Sequence, residues 1–378
     1  MLKVAIVGCG QIADAHLQEL SKIKSASVVA TCDSYRDLAM QAAMRFGVPS
    51  YYDSLQEMLH RQRPDIVHVT TPAQTHAALA QEALKSGAHV YVEKPLAVTA
   101  AEAEEVLGAA RSVGLKVCVG HDQLFDPAWL HLRDRVARKE IGEVRHVESI
   151  IGYPLGAQFG SAVRASDQHW VRRLPGGLFQ NTISHPLYRI TEFLQDERPH
   201  VDGRWWSRPD LEFPTEMLAH FRGERVTGVL TFATSIPAQR ITRVYGEKGT
   251  LEVDFDAQTV IRTSPPALPG ALGKLDAPWA RRRESMRAMR RNLWRFVRSD
   301  IQYFAGMREL FERFQRSIAA PEEEWPIAPT EMLRVAHIMD DIFSACRSAD
   351  RTRTSLAAPP DRCCQAKSPP HDIAARSS

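Results

Sequence analysis

The sequence predicts an α/β fold: a Rossmann-type doubly wound parallel sheet, then an α+β domain with an open, mostly antiparallel sheet. Three observations lead there. Residues 1–122 alternate short apolar runs with helical stretches, the pattern of a parallel sheet covered on both faces. A glycine-rich turn directly follows the first of those runs. From about Asp210 the texture changes to strand-like runs separated by connections rich in Gly, Pro and charge, as in hairpins.

Within the first region, strands are expected at residues 3–7, 28–32, 65–70, 89–92 and 116–120, and helices at 36–46, 74–85 and 99–113. Right-handed crossovers would join them. In the second region "TEMLAHF", "VTGVLTFA", "RITRVYG" and "GTLEVDF" read as strands. Residues 265–280, rich in Pro and Gly, read as a loop, and 281–318 and 329–346 as helices. The polar tail from Arg347, with Pro359, Pro360, Pro369 and Pro370, is expected to be disordered. The expected division is therefore 1–122, then 123–346 with an Arg-rich helical insert at 281–318, then the tail 347–378.

Composition narrows the class. The 378 residues suffice for two or three domains, and 44% hydrophobic with 25% charged residues is ordinary for a globular protein. No run approaches the ~18 apolar residues of a membrane span. The opening "MLKVAIVGCG" reads as a first strand rather than a signal peptide. Six cysteines, Cys9, Cys32, Cys118, Cys346, Cys363 and Cys364, show no zinc-ligand spacing. We expect a reducing cytoplasm and no structural metal.

The turn Gly8-Cys9-Gly10-Gln11-Ile12-Ala13 fits the G-x-G-x-x-G/A pattern in its proper context, after a strand and before a helix. Glycines there permit a tight turn and close approach to a pyrophosphate. The helix N-terminus then offers unpaired N–H groups to the anion. Asp33 follows the second strand, where an acid would hold ribose hydroxyls and repel a 2′-phosphate. The expected cofactor is therefore NAD rather than NADP. Arg36 would soften that preference unless it is simply a solvated residue of the following helix.

The stretch "VTTPAQTHAALAQEALKSGAHVYVEKPLA" resembles the Gfo/Idh/MocA oxidoreductases, named after glucose–fructose oxidoreductase and inositol dehydrogenase. It carries their order of motifs: Thr71-Pro72, His76, Gly87, then Glu93-Lys94-Pro95 at a strand end. The resemblance spans roughly residues 1–260. It implies that Thr71, Pro72, His76, Glu93 and Lys94 border the dinucleotide, that Lys94 reaches the nicotinamide and a substrate hydroxyl, and that the Lys94–Pro95 bond is cis. In a second block, "LPGGLFQNTISHPLYRITEFL", Gly176, Gly177 and His185 match the family. Asn181 and Tyr188 stand where it usually has acids. His185 is then the candidate general base, since an imidazole titrates near pH ~6.5; a helix-start His is otherwise structural or capping. The family's Asn-x-Arg-Phe-x-Pro is here Asp122-Gln123-Leu124-Phe125-Asp126-Pro127, without the arginine. Trp170 and Arg172 precede the glycines, on a loop that lines a sugar pocket or else forms a solvated edge.

Between Arg281 and Arg316 lie eleven Arg, no Lys and four acids. Met286, Met289, Leu293, Phe296 and Val297 form one helical face, and Phe304, Phe311 and Phe314 continue the pattern. Three readings stand: this face packs on the protein's own sheet, lies with Trp294 on an anionic membrane through 281–298, or the arginines bind phosphate of a nucleotide-linked substrate. No motif supports nucleic-acid recognition.

The resulting expectation is an NAD-dependent dehydrogenase that passes hydride between nicotinamide and a secondary hydroxyl of a sugar, polyol or nucleotide sugar, with His185 as base, Lys94 polarising the oxygen, and Asn181 placing the ring. Asp122, Trp170, Arg172 and Tyr188 are candidate substrate contacts, and a homo-oligomer is expected. Two other readings remain: a silent NAD- or sugar-sensing protein, and redox-neutral NAD-dependent glycoside cleavage.

Overall fold

The computed structural model describes residues 1–298, 305–320 and 324–357. Its first sheet contains β1 (Leu2–Val7), β2 (Ala26–Cys32), β3 (Tyr51–Tyr52), β4 (Ile66–Val69), β5 (His89–Val92) and β6 (Val117–Val119). They are parallel in the order β3-β2-β1-β4-β5-β6. Helices α1 (Gln11–Leu20), α2 (Arg36–Phe46), α3 (Leu55–Gln62), α4 (His76–Lys85) and α5 (Ala100–Ser112) connect them. β4 is buried at every position, as a central parallel strand covered on both faces must be. The order reverses between β1 and β4, and that switch point opens a crevice at their carboxyl ends. Each of the five expected strands is present; the two-residue β3 carries too little pattern to be read in advance.

The second unit runs through α6 (Pro127–Ala137), β7 (Val144–Gly152), α7 (Gln158–Ala165), α8 (Gly177–Thr182) and α9 (Ser184–Thr191). It continues through β8 (His200–Trp206), β9 (Glu216–Arg222), β10 (Thr227–Ala233), β11 (Gln239–Gly246), β12 (Gly249–Asp254) and β13 (Thr259–Thr263). The sheet order is β13-β12-β11-β7-β10-β9-β8, with β7 and β10 parallel and the other neighbours antiparallel. Alternate residues of β10 and β11, including Leu230, Phe232 and Val244, face the core beneath α9.

Three helices follow: α10 (Gly270–Val297), α11 (Ala305–Ala319) and α12 (Pro329–Ala357). They correct the sequence reading in four places. Residues 270–280, expected as loop, are the first turns of α10; Gly and Pro signal a break, but Pro278 is accommodated inside the helix. The insert 281–318 is not a single appendage of the second domain, because α11 buries Met307, Leu310, Phe311 and Phe314 in the core of the first sheet. Helix α12 continues to Ala357, so 347–357 is helical; the rest of the tail, with Cys363 and Cys364, lies outside the described residues, as does Phe304. Finally, Met286, Met289, Leu293, Phe296 and Val297 do not pack on the protein's own sheet but are exposed, from 41% at Met286 to 75% at Val297. The helix docks on β13 through its other side, where Glu284 accepts the Arg262 N–H of β13 at 3.4 Å and meets Arg135 of α6 at 2.8 Å.

Candidate functional site

The crevice is built first from the turn after β1. Gly8 has φ +92, and a Cβ there would stand 2.6 Å from the Thr71 methyl, so this position must be bare. Gly10 instead faces open space, with nothing within 4 Å of where its Cβ would be. It precedes α1, whose first turn has no side-chain cap, leaving N–H groups turned outward. Asp33, at the end of β2, accepts the Cys9 N–H at 2.7 Å and the Tyr35 N–H at 2.9 Å. A carboxylate has about four acceptor sites, so room remains for ribose hydroxyls. This open, glycine-lined helix N-terminus fits a dinucleotide pyrophosphate. Arg36 lies 3.8 Å from Asp53 and over the Tyr51 ring, partners on its own side of the fold.

Two adjoining cavities share Gln11, Ile12, Glu93, Lys94, Phe159 and Asn181 in their walls. The glycine-side lobe, about 450 Å³, adds Gly10, Thr71, Pro72 and Trp170. The histidine-side lobe, about 440 Å³, adds Asp122, His185 and Arg240. The lobes meet at the end of β5. There the Lys94–Pro95 peptide is cis, and the Lys94 ammonium donates to the Asn181 carbonyl oxygen at 2.9 Å. Behind it Glu93 is held by His16 Nε2 at 2.9 Å, and His16 Nδ1 meets His68 Nδ1 at 3.0 Å in the core. Burial pushes the Glu93 carboxyl up, but the His16 hydrogen bond and the charges of His16 and Lys94 outweigh it and leave it below its ordinary value. Burial also lowers Lys94, against the opposing pull of Glu93 and Asp122.

His185 projects from the first turn of α9. Its Nδ1 lies 2.7 Å from the Tyr188 hydroxyl, which also accepts the Gln123 N–H at 3.2 Å and lies 3.4 Å from Asp122 Oδ1. Burial, then the charge of Lys94, hold the imidazole well below its ordinary value. Burial, then the charge of Glu93, push the Asp122 carboxyl up to about 7. Its side chain keeps 18% of its surface open, so water offsets part of that burial. Burial and the Asp122 charge keep Tyr188 in its phenol form. One turn on, the buried Arg189 donates to Gln123 Oε1 at 2.8 Å and to Ser149 at 3.0 Å, and so fixes the segment carrying Asp122.

The other expected residues are placed as follows. Ala13 is fully buried beneath the glycine turn. His76 is buried, its ring between the carbonyls of Pro95 at 2.7 Å and Thr71 at 2.8 Å; it braces the crevice wall without lining it. Trp170 lines the glycine-side lobe rather than the lobe of His185. Arg172 is outside both lobes: its guanidinium lies over the Phe213 ring at 4.5 Å, in a separate pocket. Tyr188 reaches the site only through its hydroxyl. Arg240 was not anticipated. It enters the histidine-side lobe from β11 and donates to Asp256 at 2.9 and 2.6 Å. It supplies a guanidinium to the lobe that the segment 122–127 lacks. Its only local signal is a charged residue at an inward position of a strand.

Comparison with known proteins agrees with this architecture. Residues 2–121 match the family model described as "Oxidoreductase family, NAD-binding Rossmann fold", and residues 129–252 match the GFO/IDH/MocA C-terminal domain. D-glucoside 3-dehydrogenase of Escherichia coli is 35% identical over 144 residues, 38% of this chain and 41% of that protein. Inositol 2-dehydrogenase of Salmonella typhimurium is 31% identical over 145 residues, 38% of this chain and 43% of that protein. The matched stretch thus spans about two fifths of these relatives. The structure of the WlbA dehydrogenase from Bordetella pertussis, in complex with NADH and UDP-GlcNAcA, shares the fold at TM-score 0.71 and 18% identity, covering 92% of this chain and 97% of that one. An oxidoreductase from Agrobacterium radiobacter, in complex with NAD+, L-tartaric acid and magnesium, does so at 0.73 and 14%, covering 93% and 97%.

Proposed function

The chain belongs to the Gfo/Idh/MocA oxidoreductase family, with both its NAD-binding Rossmann domain and its C-terminal domain represented, and from that premise we propose that it oxidises a secondary hydroxyl of a sugar, polyol or nucleotide sugar. The observation that carries this reading is convergence. Lys94 from the first sheet and His185 from the second unit line one lobe, which adjoins the glycine-lined crevice. Bound NAD would supply the hydride acceptor, held by the turn at Gly8–Ala13, Asp33 and the walls at Thr71, Pro72 and Glu93.

The protein's own groups then handle the proton. Tyr188, as a phenol, donates to Asp122; its oxygen accepts from Gln123 and from His185 Nδ1–H. In this assignment of protons His185 Nε2 is left as a bare acceptor, able to take the hydroxyl proton. Lys94 polarises the same hydroxyl. Asn181, which anchors Lys94 through its carbonyl, positions the ring. Asp122 supplies, through Tyr188, the acid absent from position 188 itself. Arg240 suits a substrate bearing negative charge or several hydroxyls. A nucleotide sugar is favoured by the fold shared with WlbA, and a simple sugar or cyclitol by the two dehydrogenases similar in sequence. The four described cysteines are free and buried, as suits a reducing cytoplasm.

The test is NADH formation against a panel of sugars, cyclitols and nucleotide sugars. His185→Ala should lower turnover on the order of 10²–10⁴-fold while NAD affinity is retained. NAD binding with no substrate turned over would favour a sensor, and substrate consumed without net NADH would favour redox-neutral cleavage. Either outcome sinks the dehydrogenase reading.

A further inference from the structure

Helix α10 turns its apolar residues away from the protein. Of the sixteen exposed large apolar side chains among the described residues, nine lie on this one helix. Leu272, Leu275, Trp279, Met286, Met289, Leu293 and Phe296 recur at alternating spacings of three and four, a stripe along one face, with Arg282 filling the remaining position. The opposite face is the docked one. Ala288 is buried there, Arg135 holds Glu284, Asn292 donates to the Ala257 carbonyl at 2.7 Å, and Arg295 donates to Gln258 at 3.1 Å. These contacts fix the helix with its stripe facing outward.

Charge decides what can cover that stripe. Gly270–Val297 carries seven arginines and one lysine against two acids, Asp276 and Glu284. Glu284 is turned inward to Arg135. Arg281, Arg282, Arg283, Arg287 and Arg290 are exposed, and Arg282 lies over the Trp279 ring at 5.3 Å. A second copy of this face would bring the same cations together with almost no acid to answer them. An anionic bilayer answers both features. Acyl chains receive the stripe, lipid headgroups receive the arginines, and Trp279 and Trp294 sit at the depth where indoles partition.

We propose that α10 is a peripheral membrane helix that docks this protein on anionic phospholipid. Arg295 bonds Gln258, and Gln258 bonds Asp126 in the wall of the histidine-side lobe, so the docked element is tied to that lobe through one intervening side chain. The docking itself does not depend on the dehydrogenase reading and is tested without turnover.

The experiment is co-sedimentation of the full chain with vesicles of phosphatidylcholine alone or mixed equally with phosphatidylglycerol. Binding is expected to the mixed vesicles at low salt, to weaken at high salt, and to be slight on the neutral ones. Leu293→Ser with Phe296→Ser should abolish it. Arg283→Glu with Arg290→Glu should reduce it by roughly tenfold or more. Unchanged circular dichroism and NAD affinity would show that the variants are folded. Absence of binding to mixed vesicles, or equal binding to both kinds, overturns the proposal. So does a lipid-free dimer, seen by sedimentation velocity, that the stripe variants disperse, since a second copy would then own the face.

Discussion

Asp122 illustrates how one side chain can serve a site and weaken the fold. It is held near Tyr188 and Glu93, and its carboxyl is pushed up to about 7 by burial and then by the Glu93 charge. In the proposed chemistry the carboxylate form supports His185 through Tyr188. Turnover per substrate encounter should therefore rise as pH passes through about 7, and Asp122→Asn should remove that limb from the pH profile of kcat/KM. Stability runs the other way. The folded protein holds this proton more tightly than the unfolded chain, whose carboxyl titrates near ~3.9. Stability from this group is full below that value and is lost as pH rises through about 7. The melting temperature of Asp122→Asn relative to the parent should thus improve between pH 4 and pH 8, and an unchanged difference would show that Asp122 titrates normally. Asp33 acts at the other end of the crevice. NAD should bind more tightly than NADP in calorimetry, and Asp33→Ala should weaken NAD and narrow the gap. Arg36, engaged with Asp53 and Tyr51, leaves the acid dominant.

At the scale of elements, the short helix α8 carries Asn181, and its position depends on a missing side chain. A Cβ on Gly176 would stand 2.3 Å from the Phe343 ring of α12. Gly176→Ala must therefore push α8 away from α12, moving the Asn181 carbonyl that anchors Lys94. We expect a loss of ~1–3 kcal/mol in chemical denaturation, together with lower turnover, and partial recovery of both when Phe343→Leu is added. The two glycines were legible in the sequence; the ring that requires one of them was not, because it lies far along the chain. The same distinction separates what could be read in advance from what could not. Strands β1, β2, β4, β5 and β6 and the glycine turn are written in local pattern, so their existence and order of appearance were legible. The cleft residues Gly10, Lys94, Asn181 and His185 were legible because they sit in short motifs at element ends. Arg240 was not, since only the pairing of β11 with β7 brings it over the lobe. Strand β7 was missed for a related reason: its parallel pairing with β10 is set by the whole sheet rather than by a neighbouring hairpin. Residues 270–280 misled because Gly and Pro report local breaks, whereas docking of α10 on β13 sustains the helix through them.

At the scale of the whole molecule, the chain returns to its first core after building its second. Helix α11 inserts Phe311 beside His16, His68 and Tyr91, with ring centroids 4.8–5.0 Å apart. Helix α12 then divides itself between the units: Met332 and Ala336 join the first core, while Ile338, Ile342 and Phe343 join the second. Asp340 accepts the Ala100 N–H at 2.8 Å at the start of α5, and Arg334 donates to the Thr191 carbonyl at 2.6 Å at the end of α9. Neither core is complete without segments that follow both sheets, so independent melting of the two units would leave apolar surface stripped in each. Calorimetry of the full chain should show one cooperative transition. NAD, whose proposed contacts at Gly8–Ala13 and Asp33 lie on the first unit, should raise the melting temperature of the entire transition, with stabilisation approaching ~2.7 kcal/mol at a hundredfold excess over Kd. Two resolved transitions, with NAD moving only one, would mean that α11 and α12 cross between units without coupling them, and the cleft between Lys94 and His185 would then be a loose junction rather than a built site.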